Sequence, residues 1–156
     1  MTDPSIGVSE TANYIKIENC RPGIWRGDFC LRKFPKQERV EELSAFAVGL
    51  TAEEIRAPWR EIPEWVGVDV AMAAILDFKQ FALRTKDGTD TFYEEISGAT
   101  WERKDRQLFA CLKEGVVSDA GWGDGAYPIY LRKSGKVITG IKVVFLDKKG
   151  LSPLPK

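Results

Sequence analysis

The chain has 156 residues, 44% of them apolar and 29% charged, which is the size and composition of one soluble globular domain. Lys plus Arg equals Asp plus Glu at 23 each, so the bulk positive field typical of nucleic-acid-binding proteins is missing. There is no histidine, which excludes histidine-based nucleophile activation, histidine proton shuttles and histidine-ligated metals.

The segment Met1 to Val8 carries Asp3 and Pro4 and has neither a basic flank nor an apolar core, unlike a secretory signal. Residues 1–11 are expected to form a flexible amino terminus, 12–147 one globular domain, and 148–156, with Pro153 and Pro155, a flexible tail. Arg39 to Val48 is ambiguous, because Val40, Leu43, Phe46 and Ala47 fit the helical period. Thr51-Ala52-Glu53-Glu54 is a capping box, and Pro58 ends the helix it opens within about two turns. Val66 to Leu76 reads as a central strand covered on both faces, although Ala71, Ala73 and Ala74 also suit a helix. Asp69 interrupts that run, which falls short of the ~20 residues needed to cross a bilayer. Thr91 to Glu95, running toward Trp101, predicts another short helix, and Gln107 to Leu112 and Gly115 to Ser118 two short strands. Tyr127, Ile129 and Leu131 alternate with Pro128, Tyr130 and Arg132 as in a half-buried strand. Lys133-Ser134-Gly135-Lys136 supplies a turn, and Val137 to Phe145 the returning strand.

An internal comparison bears on the ambiguous segment. Gly23-Ile24-Trp25 through Leu31-Arg32-Lys33 and Arg39-Val40 resembles Gly125-Ala126-Tyr127 through Leu131-Arg132-Lys133 and Lys136-Val137, with a two-residue gap. Two matching hairpins would make Arg39 to Val48 a strand. The expected fold is therefore mainly β, bordering on α+β, with two packed and mostly antiparallel sheets and one or two short helices.

The most unusual stretch is Asp119-Ala120-Gly121-Trp122-Gly123-Asp124-Gly125-Ala126-Tyr127-Pro128. Gly121, Gly123 and Gly125 permit tight turning and expose backbone N–H groups, which can form an anion-binding nest. Asp119 and Asp124 are alternatively oxygen ligands for a hard cation such as calcium. The plain structural alternative is a rigid lead-in to a hairpin, with Asp124 capping its own turn and Trp122 on the core. Asp69 and Asp77 lie eight residues apart, on the same side of an extended strand and ~26 Å from each other, unless the chain bends. They read either as structural carboxylates or, with Asp124, as a set around calcium or magnesium.

Five tryptophans, Trp25, Trp59, Trp65, Trp101 and Trp122, are many for this length; core packing is expected for each, with some available to a surface. The basic residues at 103–106 and 142–149 are interleaved with acids and read as solvated faces rather than a nucleic-acid stripe. Cys20, Cys30 and Cys111 are odd in number and lack CxxC spacing, so free and mostly buried thiols in a cytoplasmic protein are expected.

The block Gly121-Trp122-Gly123-Asp124-Gly125-Ala126-Tyr127-Pro128 with Val143-Val144-Phe145, preceded by Gly67-Val68-Asp69-Val70 to Asp77, resembles an uncharacterised bacterial family, domain of unknown function 4241. That family carries G-[WFY]-G-D-G-x-Y-P near its carboxyl end, and the later block here covers about twenty-five residues. The earlier element departs from the pattern at Ala71, where the family tends to carry glycine. The resemblance implies a mostly β domain in which both blocks meet, and it brings no catalytic mechanism.

These readings lead to a non-enzymatic binding or interaction domain, of an accessory or immunity type, with a protein partner and no cofactor, nucleic acid or membrane. The rival is a metal-dependent hydrolase with Asp69, Asp77 and Asp124 as ligands and a bound water as nucleophile. A third reading is a small-molecule or glycan binder stacking its ligand on Trp122 and Tyr127.

Overall fold

The computed structural model describes residues 4–6, 15–68, 71–77, 79 and 108–153. In chain order the elements are β1 (Pro4–Ile6), β2 (Ile15–Lys16), β3 (Trp25–Phe34), β4 (Gln37–Ala47), α1 (Ala52–Arg56), β5 (Arg60–Val68), β6 (Met72–Asp77), β7 (Phe109–Leu112), β8 (Gly115–Asp119), β9 (Gly125–Ser134) and β10 (Val137–Val144). They form two five-stranded sheets, ordered β2-β1-β6-β8-β7 and β3-β4-β10-β9-β5, with antiparallel pairing throughout. The fold is mainly β, as the sequence pattern predicts.

The repeated Leu-Arg-Lys pattern has a structural counterpart. Both copies are long hairpins, β3–β4 and β9–β10, and their return strands β4 and β10 pair with each other at the centre of one sheet. Arg39 to Val48 is thus strand and not helix through Ala47. Val40, Leu43, Ala45 and Ala47 face the partner sheet while Phe46 faces outward, and the helix-like spacing of Val40 and Leu43 comes from the one-residue irregularity opposite Cys30 and Leu31. Thr51 caps α1 through its side-chain oxygen on the Glu54 amide, and the Glu54 carboxylate reaches back to the Thr51 amide.

Two expectations are corrected. Val66 to Leu76 is not one strand: β5 ends at Val68 in one sheet and β6 begins at Met72 in the other. The expectation of cover on both faces does hold for β6, where Met72 through Leu76 are all buried. The thiols are free, but only Cys20 is buried, because Cys30 and Cys111 sit on the edge strands β3 and β7. The carboxyl-terminal segment is part of the fold as far as Leu151, where Asp147 Oδ1 accepts from the amides of Lys149 and Leu151 at 2.8 and 3.0 Å. Pro4–Ile6, inside the segment expected to be flexible, is a strand on β6. The helix expected at 91–95 and Trp101 lie outside the described residues.

The core lies between the sheets. Leu43, Ala45, Ile129, Leu131, Ile141 and Val143 alternate inward from the hairpin sheet to meet Ala73, Ile75 and Val116. Met72, Ala74, Leu76 and Val117 form a second cluster on the opposite face of β6 and β8. Edge strand β3 approaches β8 so closely at Gly27 that an added Cβ would stand 1.9 Å from Val116 Cγ1. Gly27→Ala is therefore expected to cost about 1–3 kcal/mol through overpacking. Val116→Ala in the same chain should recover part of it, as read by urea denaturation of both variants.

Candidate functional site

The glycine-rich loop is a crossing point between the sheets. Val68 of β5 pairs with Gly125 of β9, and Met72 of β6 pairs with Asp119 of β8. Two neighbouring chain passages, β5 to β6 and β8 to β9, therefore leave one sheet and enter the other side by side. A sheet that turns a corner loses ladder hydrogen bonds there, and other groups must satisfy the freed amides and carbonyls.

The loop supplies those groups. Asp124 Oδ1 accepts from the Ala71 amide at 2.8 Å, and the Ala71 carbonyl accepts from the Ala120 amide at 2.8 Å. The Gly123 amide donates to the Ala120 carbonyl at 2.7 Å. The Tyr127 hydroxyl lies 2.6 Å from the Gly123 carbonyl and 3.2 Å from that of Ala120. Its single proton favours the nearer one. Burial raises the Tyr127 pKa above the usual tyrosine value, so the hydroxyl stays a donor. Gly121 has φ +52°, and a Cβ there would stand 2.9 Å from Phe145 Cβ; Gly123 has φ +117°. Only glycine meets both demands without strain.

Ala71 has φ +56°, the left-handed region that glycine favours. The alanine at this position thus has a glycine-like backbone, and the hydrogen bonds to Asp124 and Ala120 hold it there. Asp124 caps a turn as the structural alternative proposes, but the turn belongs to a segment 53 residues away.

The remaining expected residues are placed as follows. Tyr127 is fully buried, its ring edge-on to Phe145 at 5.1 Å, so it cannot share a stacking platform with Trp122. Trp122 is 43% exposed; its Nε1 donates to the Gly150 carbonyl at 2.8 Å, and its ring meets Phe34 and the Arg39 guanidinium. Asp119 is buried at the end of β8, its amide donating to the Leu108 carbonyl. Pro128 is buried opposite Trp65, where β5 resumes after an irregularity. Gly125 is extended, and a Cβ there would only touch the Tyr127 ring. Asp77 lies six residues beyond Ala71 along β6, about 20 Å at a strand's rise, so the structure does not bring it to Asp124. Asp69 lies outside the described residues, among which no three His, Cys, Asp or Glu side chains gather as a metal site.

A second constellation was not anticipated. The outward face of the hairpin sheet carries Arg26, Phe46, Gly140 and Arg132 in one row and Asp28, Ser44, Lys142, Tyr130 and Glu61 in the next. Trp59 lies across Gly140, where an added Cβ would stand 2.9 Å from the indole. The Arg132 guanidinium sits 4.4 Å from the Trp59 ring centroid and Lys142 Nζ 5.1 Å, while Phe46 meets the same ring edge-on at 5.7 Å. With Val48 and Ile55 of the 48–59 segment these residues line a concavity of about 500 Å³. Taken singly, Trp59, Arg132 and Lys142 carry no signal. Their register across the β9–β10 turn, Tyr130 with Lys142 and Arg132 with Gly140, is what could have found them.

If Asp124 is architectural, Ala71→Gly should relieve left-handed strain and stabilise the fold by a net ~0.5–1 kcal/mol. Asp124→Ala should cost about 1.5–3 kcal/mol, as for other hydrogen bonds to a charged group; denaturation midpoints test both. Asp147 is held below the usual aspartate value, first by the Leu151 amide and, against desolvation, by the Lys149 amide. A lowered folded pKa adds stability above the ordinary value near ~4 and loses it as pH falls through the folded value. Asp147→Asn should therefore lower the melting temperature at neutral pH and flatten its fall in acid, in melts from neutral to strongly acidic buffer.

No family model, curated protein or solved structure matches this chain.

Proposed function

We propose that the protein is a non-enzymatic binding domain, an accessory or immunity-type protein of the bacterial cytoplasm, whose recognition surface is the outward face of the hairpin sheet. The observation that carries this reading is the internal use of the glycine loop: Asp124 Oδ1, Trp122 Nε1 and the Tyr127 hydroxyl all bond the chain's own backbone. A loop so committed supports architecture rather than chemistry, whereas the outward sheet face combines a concavity with half-buried aromatic and cationic groups. The three free thiols support a reducing compartment, and no helix among the described residues is long and apolar enough to cross a membrane. The GWGDG block supports membership of the bacterial family that it resembles.

The test is native mass spectrometry of gently purified wild type, of Trp59→Ala with Lys142→Ala, and of Asp124→Asn. Bound material retained by the wild type and by folded Asp124→Asn, but lost from the sheet-face variant, is the expected result. Equal loss from folded Asp124→Asn, or a catalytic turnover that this substitution abolishes, overturns the reading.

A further inference from the structure

The concavity on the outward sheet face contains one cation that its surroundings leave unanswered. Its wall holds three cations, Arg26, Arg132 and Lys142, against two carboxylates, Asp28 and Glu42. Lys142 pairs with Glu42 at 3.2 Å, and Arg26 with Asp28 at 3.6 Å. Arg132 has no carboxylate partner among the described residues, and its Nε is buried without a hydrogen-bond partner. Its guanidinium contacts the rings of Trp59 and Phe46.

A guanidinium stacked on an indole keeps its in-plane N–H groups free, and these match a carboxylate in a fork-to-fork arrangement. The buried Nε is closed to the concavity, so a ligand carboxylate would meet this guanidinium at its two terminal Nη groups. Beside these charged groups the wall carries Phe46 of β4, Trp59 just before β5 and Ile55 from α1. The volume, about 500 Å³, falls within the range of small-ligand sites.

We propose that this concavity binds a small organic monocarboxylate with a flat apolar body, its carboxylate on Arg132 and its body against Trp59, Phe46 and Ile55. The inference rests on the reading of the protein as a binding domain and names the ligand class of that surface. One negative charge complements the single excess positive charge of the wall, and the Lys142–Glu42 and Arg26–Asp28 pairs discourage a second.

The test is ligand-observed NMR titration of the full chain with indole-3-acetate and 2-naphthoate, their neutral primary amides, and a capped peptide bearing one aspartate between leucines. Carboxylates should bind at least about tenfold more tightly than their amides. Arg132→Gln should erase that difference while the variant still unfolds cooperatively, at a melting temperature a few degrees below wild type. Should Arg132→Gln not fold, intermolecular NOEs in the wild type decide, and they are expected from the ligand ring to the Trp59 and Phe46 side chains. Equal affinity for acid and amide, retention of the preference in folded Arg132→Gln, NOEs to another surface, or binding of the peptide alone overturns the proposal. Binding accompanied by conversion of the carboxylate would retain this site and defeat only the non-enzymatic reading.

Discussion

The hydrogen bond from the Ala71 amide to the Asp124 carboxylate holds together the place where the chain twice changes sheets. Strand pairing is local and satisfies itself, but a sandwich whose strands pass between layers must interrupt two ladders at the corner. Here both interruptions fall side by side, so each passage supplies what the other lacks. Asp124 and Ala120 bond the Ala71 peptide, and Tyr127 reaches from β9 to the loop carbonyls. The packing of Ile75 and Val116 against Ile129 and Ile141 follows from the relative position of the sheets that this corner sets.

The glycines of the loop take their meaning from the same constraint. Gly121 lies against Phe145 and Leu146 with a positive φ, so the loop enters the core instead of standing off from it. Trp122 then points the other way, tying the Asp147–Leu151 turn to the sheet through Gly150. The motif that looks most like a ligand cradle in the sequence is occupied by its own protein. On the outward face of the hairpin sheet, by contrast, Arg132 has no carboxylate partner among the described residues. There Gly140 lets an indole approach the backbone closely, and two cations gather on it, each contact worth about 0.5–2 kcal/mol depending on exposure.

Much of the fold was legible. The Tyr127-Ile129-Leu131 alternation, the Gly135 turn and the repeated Leu-Arg-Lys pattern located both hairpins, because the period of a half-buried strand is written in its side chains. Thr51 and Glu54 located the helix, because a capping box is complete within four residues. The break at Ala71 was not legible. Alanine carries no turn signal, and its positive φ is imposed by Asp124, far along the chain. Arg39 to Val48 mimicked a helix because a single bulge shifted its inward residues by one place.

The sequence by itself determined the mainly β class, the two hairpins, the short capped helix and the importance of the glycine loop, since each depends on residues near one another in the chain. Only the tertiary structure decided that the loop is a corner, that Tyr127 is core, that Asp77 and Asp124 stand apart, and that Trp59, Arg132 and Lys142 share a concavity. Those outcomes depend on strand register and on which sheet each strand joins, and both are set by the pairing of β4 with β10 and of β5 with β9 across long stretches of chain.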